Sequence, residues 1–546
     1  MAYRKEIDEN FQFLLLEVKS QIQNTLKVLN GSGDVLEEDM EARDDYIDNL
    51  KSVIESKCFS QIFYVTERDI QMVNLMKSVI TITSNLERIA DYAVNIVQQT
   101  HHFENKAFIK RYNFEAFFWE INDAMELVYN ATFARDIQNG IKICRSEIKL
   151  DELYKAVFKD ILEELRSGQN VESLLTAIFI FRYLERMGDC LLNIGEAIIS
   201  AAVGEKLKID QYEALEESIQ EARMKGHISE FSIESIWETR SGCRIARVMN
   251  KNGDGASTAA IFKEGRLKKL QDEKESIERW QKLMPGLPPR IFGFQVHGDN
   301  GSLLLENFSG DTLESLILYG SDEEIERALA SIIETLNDIW TRTKKPDPVN
   351  AEQFKQLLER IDDVRKVHPE YDFEDKVIGN LETPSLDKLL MRASGIDQQL
   401  YAPFRVFIHG DFNIDNVIFN KENDHLHFID LHRSCEQDYV QDVSVFMVSA
   451  FRIPLTEPTI RKRLTDVIDR FFNFAHDFAL KNDDPTFEAR LTLGLIRNFT
   501  SSTRFELKED FAKSMYLRAI FLIEKLLDHD HKPWEDFKLP RETLTY

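Results

Sequence analysis

The phrase Leu86-Glu87-Arg88-Ile89-Ala90-Asp91, followed by Asn95-Ile96, returns as Leu184-Glu185-Arg186-Met187-Gly188-Asp189, followed by Asn193-Ile194. Self-similarity of this kind restricts the first part of the chain to two copies of one structural unit. Around the first copy, Val79, Ile82, Leu86, Ile89, Ala93 and Ile96 recur at helical spacing, and Gly and Pro are scarce up to residue 215. The expectation is an all-α region, residues 1–215, built as tandem bundles over 1–105 and 106–215.

Glu87 and Asp91 are four residues apart, so on a helix they lie about 40° apart around the axis, on one face. Like charges at that spacing cost an isolated helix about 0.2–0.5 kcal/mol. A bound cation would offset the repulsion, and acids upstream of each copy could complete an oxygen-rich site: Asp44, Asp45 and Asp48 in the first, Glu147 and Asp151 in the second. A single such pair is more often a solvated acidic edge; its recurrence favours metal.

The second informative stretch is His409-Gly410-Asp411-Phe412-Asn413-Ile414-Asp415-Asn416, followed after a hairpin by Phe428-Ile429-Asp430. Phosphoryl transfer needs an Asp at the attacking hydroxyl, an Asn five positions on, and a second Asp to hold metal ions. Val406-Phe407-Ile408 reads as a buried strand and Asn423-Asp424 as a hairpin turn, so both acids are expected at strand ends facing one cleft. His297-Gly298-Asp299 has Leu304 at the corresponding later position and reads as a turn instead.

Between these stretches the pattern changes. A polar connector at 216–229, with a further helix from Tyr212 to Met224 as one option, leads into a strand-rich lobe, 230–310, with runs at Ile245–Met249 and Ala259–Phe262 and a charged helix from Leu270 to Leu283. Residues 311–546 return to helical spacing apart from the strands around the HGD motif.

Five scattered cysteines without a CxxC pair argue against a disulfide framework or a zinc ribbon and fit a reducing cytoplasm. The N-terminus lacks the apolar stretch of a signal peptide, and no apolar run reaches bilayer length. A formal charge of -26 opposes nucleic-acid binding and would attract a cationic ligand. Asp415, Glu436 and Asp438 near the motif are compatible with an amine-bearing substrate.

SNLERIADYAVNIVQQ and RYLERMGDCLLNIGEA resemble the paired signature of the PhoU family, regulators of phosphate uptake and signalling. The resemblance implies clusters of iron or zinc held by Glu87, Asp91, Glu185 and Asp189, with Asp45, Asp48 and Asp151 as further ligands. It also implies phosphate-signalling or transport partners and a homodimer. Tyr92 and Cys190 stand where that family often has His.

Residues 230–546 resemble the aminoglycoside phosphotransferase and choline kinase group, which has a bilobal α+β protein-kinase-like fold. By that resemblance Asp411 is the base or orienting carboxylate within the catalytic motif that opens at His409, and Asn416 and Asp430 are ligands for Mg2+. ATP phosphates meet Lys263, whose ion-pair partner is Glu273, with Glu275 a competitor; Gly242 belongs to the nucleotide-covering loop. Glu306 and Phe308 lie at the adenine hinge, and Asp442 supports the catalytic loop. Two readings follow: a small-molecule kinase regulated by the helical region, or a phosphate-signalling adaptor with a kinase-shaped nucleotide-binding domain and little turnover.

Overall fold

The computed structural model of the chain describes residues 2–31, 37–64, 70–103, 105, 108–204, 208–221, 231–235, 243–250 and 259–545. They fall into two compact units, Met1–Glu264 and Gly265–Tyr546.

The first unit opens with helices α1 (Ala2–Leu29), α2 (Glu37–Tyr64) and α3 (Ile70–Gln99), which pack on one another. Helices α4 (Glu115–Ala134), α5 (Ile137–Leu165) and α6 (Val171–Val203) repeat the arrangement, and α3 packs along α6. The apolar stripe on α3 does what its spacing predicts: Val79, Ile82, Leu86, Ile89, Ala93 and Ile96 are all at 0% exposure. The first-turn N–H groups of a helix need partners, and Asp136 supplies one at the start of α5 by accepting the Asn139 N–H at 3.2 Å. Helices α5 and α6 come unusually close. A Cβ on Gly195 would lie 2.4 Å from Cys144 Sγ and 2.6 Å from the Gly140 carbonyl oxygen, so only glycine fits there.

A seventh helix, α7 (Ile209–Glu221), extends into the segment expected as a connector. Strands β1 (Phe231–Ser235), β2 (Arg244–Asn250) and β3 (Ala259–Arg266) follow as an antiparallel set. The Gln211 side chain on α7 donates to Glu264 Oε2 on β3 at 2.7 Å. The division between the units accordingly falls inside β3.

The second unit begins with α8 (Leu267–Leu283) and the β4 (Ile291–His297) and β5 (Asn300–Glu306) hairpin, whose turn is the His297-Gly298-Asp299 decoy. Then come β6 (Asp311–Thr312), α9 (Leu313–Tyr319), α10 (Asp322–Thr343) and α11 (Gln353–Val367). A small hairpin, β7 (Lys376–Ile378) and β8 (Leu381–Thr383), precedes α12 (Leu386–Asp397). Strands β9 (Val406–Ile408), β10 (Val417–Asn420), β11 (His425–Phe428) and β12 (Cys435–Gln437) frame the HGD motif, and α13 (Val440–Phe451), α14 (Pro458–Lys481), α15 (Phe487–Ser502) and α16 (Glu509–His529) complete the unit.

The floor under the motif is aromatic. Phe412 packs against Phe428 at 5.1 Å and Phe446 at 5.7 Å between ring centres, and Phe446 stacks on Phe471 at 3.9 Å. Every residue of α13 is buried. Trp280 fixes α8 to the site: its Nε1–H donates to Ser434 Oγ at 2.8 Å and its ring lies 4.9 Å from Phe407. Among the described residues, no helix is long and apolar enough to cross a membrane.

Candidate active site

Strand β9 delivers the chain to His409, where the loop is clamped by one buried carboxylate. The N–H groups of His409 and Gly410 donate to Asp442 Oδ2 and Oδ1, each at 2.8 Å. Gly410 has φ +83°, and a Cβ there would sit 2.2 Å from the Arg433 carbonyl oxygen, so the turn requires glycine. Burial raises the Asp442 carboxyl to about 7, against the two N–H donors that favour its charge.

The His409 ring is fully buried. Its Nε2 lies 3.0 Å from the Ile429 carbonyl oxygen, which can only accept, and its Nδ1 accepts the Asp411 N–H at 3.3 Å. That assigns the proton to Nε2. Burial holds the ring's pKa down at about 4, so it stays neutral and ties the loop to the end of β11.

Asp411 is partly exposed. Its Oδ1 accepts from Asn413 Nδ2 at 3.0 Å, and its Oδ2 is 3.2 Å from Arg433 Nη1. Asn416 Nδ2 donates to the Asp411 carbonyl oxygen at 2.9 Å. The Ile429 N–H donates to the Asn416 carbonyl oxygen at 3.0 Å and brings Asp430 beside the loop. Asp430 takes the left-handed conformation, φ 59°, uncommon for a non-glycine residue and frequent at functional turns. Its Oδ1 lies 3.2 Å from His432 Nδ1. Glu273, Asp430 and His432 each offer one ligand atom, all within 4.8 Å of one another. His432 carried no sequence signal, because its approach depends on the turn at Asp430.

The other kinase-like candidates are distributed as follows. Lys263 on β3 is 3% exposed, within the first unit; Glu273 on α8 is 1% exposed, within the second. Glu275 is exposed. Glu306 is bound to Arg290 through its N–H, which donates to the Arg290 carbonyl at 2.9 Å, and its Oε2, which accepts the Arg290 N–H at 3.2 Å. Phe308 stacks on His427 with ring centres 3.7 Å apart. Gly242 lies outside the described residues.

Two of the three acids set aside for an amine-bearing substrate have structural partners. Glu436 is held by Lys345 at 2.7 Å and also by Arg279 and Arg405. Asp438 is buried and paired with Arg490, which also binds Asp484, itself the acceptor of the Tyr439 hydroxyl at 2.6 Å. Asp415 alone is exposed.

In the helical region each repeat gathers its acids. Burial, then the charges of Asp44 and Asp48 on α2, raises Asp91 to about 6. Glu87 pairs with Lys51 at 2.9 Å. Asp45 is exposed and is not among the charges that act most on Asp91; Asp44, one residue earlier, has that place. In the second repeat Glu147 is raised by burial and then by Asp151, Asp189 and Glu185. Here the carboxylates have their own cations: Glu185 with Arg182 at 2.6 Å, Asp189 with Arg186 at 2.8 Å and Asp151 with Lys155 at 2.5 Å.

A helical tandem with paired acidic motifs, followed by an α+β region with an HGD loop, defines a two-part protein: a PhoU-like module and a kinase-like phosphotransferase domain. The PhoU domain model matches residues 14–100 and 115–198, and the model of the phosphotransferase enzyme family matches 253–470. The chain is 22% identical over 197 residues to a phosphate-specific transport system accessory protein PhoU homolog from Clostridium acetobutylicum, covering 35% of this chain and 89% of that protein. Among solved structures it is similar to PhoU from Pseudomonas aeruginosa, with 18% identity and a TM-score of 0.33 over 37% of this chain and 97% of that one. It is also similar to an aminoglycoside-3'-phosphotransferase of type VIII, with 15% identity and a TM-score of 0.32 over 49% of this chain and 92% of that one. The chain thus joins a PhoU domain pair to a domain of the phosphotransferase enzyme family.

Proposed function

We propose that the protein is an ATP-dependent phosphotransferase acting on a hydroxyl of a small molecule. The observation that carries this reading is the joint restraint of Asp411, Asn416 and Asp430: Asn416 binds the Asp411 carbonyl, and the Asn416 carbonyl binds the N–H next to Asp430. The acceptor oxygen forms a bond to the terminal phosphorus as the bond to the bridging oxygen breaks, ADP leaves with that electron pair, and the hydroxyl proton passes to Asp411. Asp442 and the neutral His409 act as positioning residues for this loop.

The donor set suits Mg2+. Asn416 and Asp430 would hold it through oxygen atoms, as suits a hard cation that binds carboxylates together with phosphate oxygens. When bound, Mg2+ neutralises the charge of the phosphates. Lys263 is assigned to the nucleotide phosphates, with Glu273 supporting the nucleotide side, and Glu306 and Phe308 to the adenine hinge.

The helical module is assigned a regulatory role through metal. Asp44, Asp48, Glu87 and Asp91 form the first ligand group and Glu147, Asp151, Glu185 and Asp189 the second. The raised Asp91 supports the first assignment, because mutually repelling carboxylates are relieved by a cation. Iron or zinc, phosphate-signalling partners and a homodimer are part of the same reading, as is a cytoplasmic setting.

The test is ADP release by the full chain with MgATP across amino alcohols, aminoglycosides, sugars and hydroxy acids. Acceptor-dependent ADP that disappears in Asp411→Asn supports the enzyme; nucleotide binding without acceptor-dependent ADP leaves the adaptor reading in its place.

A further inference from the structure

Four arginines from four separate segments converge on the Asp411 side of the site. Arg433 Nη1 touches Asp411 Oδ2 at 3.2 Å. Arg360 comes from α11, Arg497 from α15, and Arg504 from the turn Thr503–Phe505 that follows it. Burial and then the neighbouring guanidinium groups lower the pKa of Arg360 and Arg497, the latter to about 9, and Asp411 is the leading charge that opposes this in both. Arg504 is lowered by burial and by Arg433, against the charge of Asp363.

Apart from Arg433, these guanidinium groups lack the carboxylate partners that buried arginines usually require. Arg497 is 2% exposed, yet it donates to neutral groups, Gln356 Oε1 at 2.7 Å and Asn498 Oδ1 at 3.0 Å. Arg504 lies over the Phe505 ring at 4.4 Å. Among the described residues, no carboxylate stands within ion-pair distance of Arg360, Arg497 or Arg504. The nearby acids are engaged elsewhere: Asp397 accepts the Phe354 N–H at 2.8 Å, and Asp363 pairs with Lys366 at 2.8 Å.

Elsewhere in the same unit the rule holds. Arg490 sits between Asp438 and Asp484, and Arg461 binds the carbonyl oxygens of Phe451, Ile453 and Leu455. In a chain with a formal charge of -26, three arginines without a carboxylate partner beside one catalytic acid are a preformed positive site. Hydrogen bonds tie the cluster to the loop that carries Asp411: Asn498, which accepts from Arg497, donates to Ser444 Oγ at 3.0 Å, Ser444 Oγ donates to the Gln441 carbonyl oxygen at 3.0 Å, and Gln441 Nε2 donates to the Gly410 carbonyl oxygen at 3.0 Å.

We propose that the phosphate acceptor is an anionic hydroxyl compound whose phosphate or carboxylate group is held by Arg360, Arg497 and Arg504 while its hydroxyl meets Asp411. Planar guanidinium forks suit both groups through paired N–H donors. The site is the reverse of what the overall negative charge and the surrounding acids lead one to expect. The proposal rests on the phosphotransferase reading.

The test uses the full chain with MgADP and four probes in calorimetric titration: glycerol 3-phosphate, glycerate, glycerol and ethanolamine, with ADP release from MgATP measured in parallel. The expected result is binding of the anionic probes at least tenfold tighter than of glycerol or ethanolamine, the stronger anion identifying phosphate or carboxylate. Arg360→Gln and Arg504→Gln, partly exposed positions whose loss orphans no carboxylate, should each weaken anion binding tenfold or more and leave MgADP affinity unchanged. The proposal is overturned if ethanolamine binds as well as the anions, if no anionic probe binds, or if the arginine variants weaken the nucleotide instead. Anion binding lost in the arginine variants but without ADP release upholds the site and removes the phosphotransferase reading; ADP release with ethanolamine alone does the opposite.

Discussion

Asn416 Nδ2 lies 2.9 Å from the carbonyl oxygen of Asp411, so the candidate metal ligand and the candidate base share one rigid turn. Replacing Asp411 by Asn keeps the side-chain shape while removing its charge. Turnover should fall by about 10²-fold or more, with nucleotide affinity and thermal midpoint nearly unchanged. Asp430→Ala should instead weaken Mg2+-dependent nucleotide binding. Normal ADP release from Asp411→Asn with an active acceptor would exclude the assigned role.

Gly410 offers a second check on the loop. A methyl group would have to occupy space 2.2 Å from the Arg433 carbonyl oxygen, at φ +83°. Gly410→Ala should lower stability by about 2 kcal/mol or more, through strain and through loss of the clamp from Asp442. Thermal and urea unfolding read the loss. A variant as stable as the parent would show that the loop relaxes freely.

The parts of the site carried by contiguous residues were readable from sequence, because HGDFNIDN and the hairpin to Asp430 hold spacing and chemistry together. The repeated acidic helices were readable for the same reason. The rest depends on placement. Asp44 rather than Asp45 acts on Asp91 because one residue turns a helix by about 100°. Glu273 and Glu275 both follow Lys263, and burial separates them: Glu273 faces the interior and Glu275 the solvent. The β7 and β8 hairpin has strands of three residues each, too short for alternation to show. Arg360, Arg433, Arg497 and Arg504 share no spacing at all, and only the packing of α11 and α15 brings them to one place.

The buried pairing of Asp438 with Arg490 predicts a structural rather than a substrate-selecting role. Arg490→Met would leave Asp438 and Asp484 as neighbouring buried acids without their cation, at a cost of about 3–5 kcal/mol. Asp438→Asn should also destabilise, by less, and should leave the order of preference among acceptors unchanged. Denaturation curves and acceptor profiles of the two variants check this; a changed acceptor preference in Asp438→Asn at unaltered stability would contradict it.

The last prediction concerns protons and metal in the helical module. Burial and the facing Asp44 and Asp48 hold the Asp91 carboxyl at about 6, above the usual carboxylate value of 3.8. A carboxyl raised on folding binds more protons in the folded than in the unfolded chain, so its unfavourable contribution grows as pH rises between those two values and is complete above the upper one. Asp91→Asn removes that contribution. In metal-free protein the variant should therefore be more stabilised relative to wild type at pH 7.5 than at pH 5. Added zinc should reverse the order, because wild type retains the ligand and the variant does not, and zinc affinity should fall as pH drops through about 6 where protons compete for the same oxygen atoms. Thermal midpoints of both proteins at the two pH values, each with chelator and with zinc, decide the matter: an Asp91→Asn effect independent of both pH and zinc would return this carboxylate to the role of a solvated helix edge.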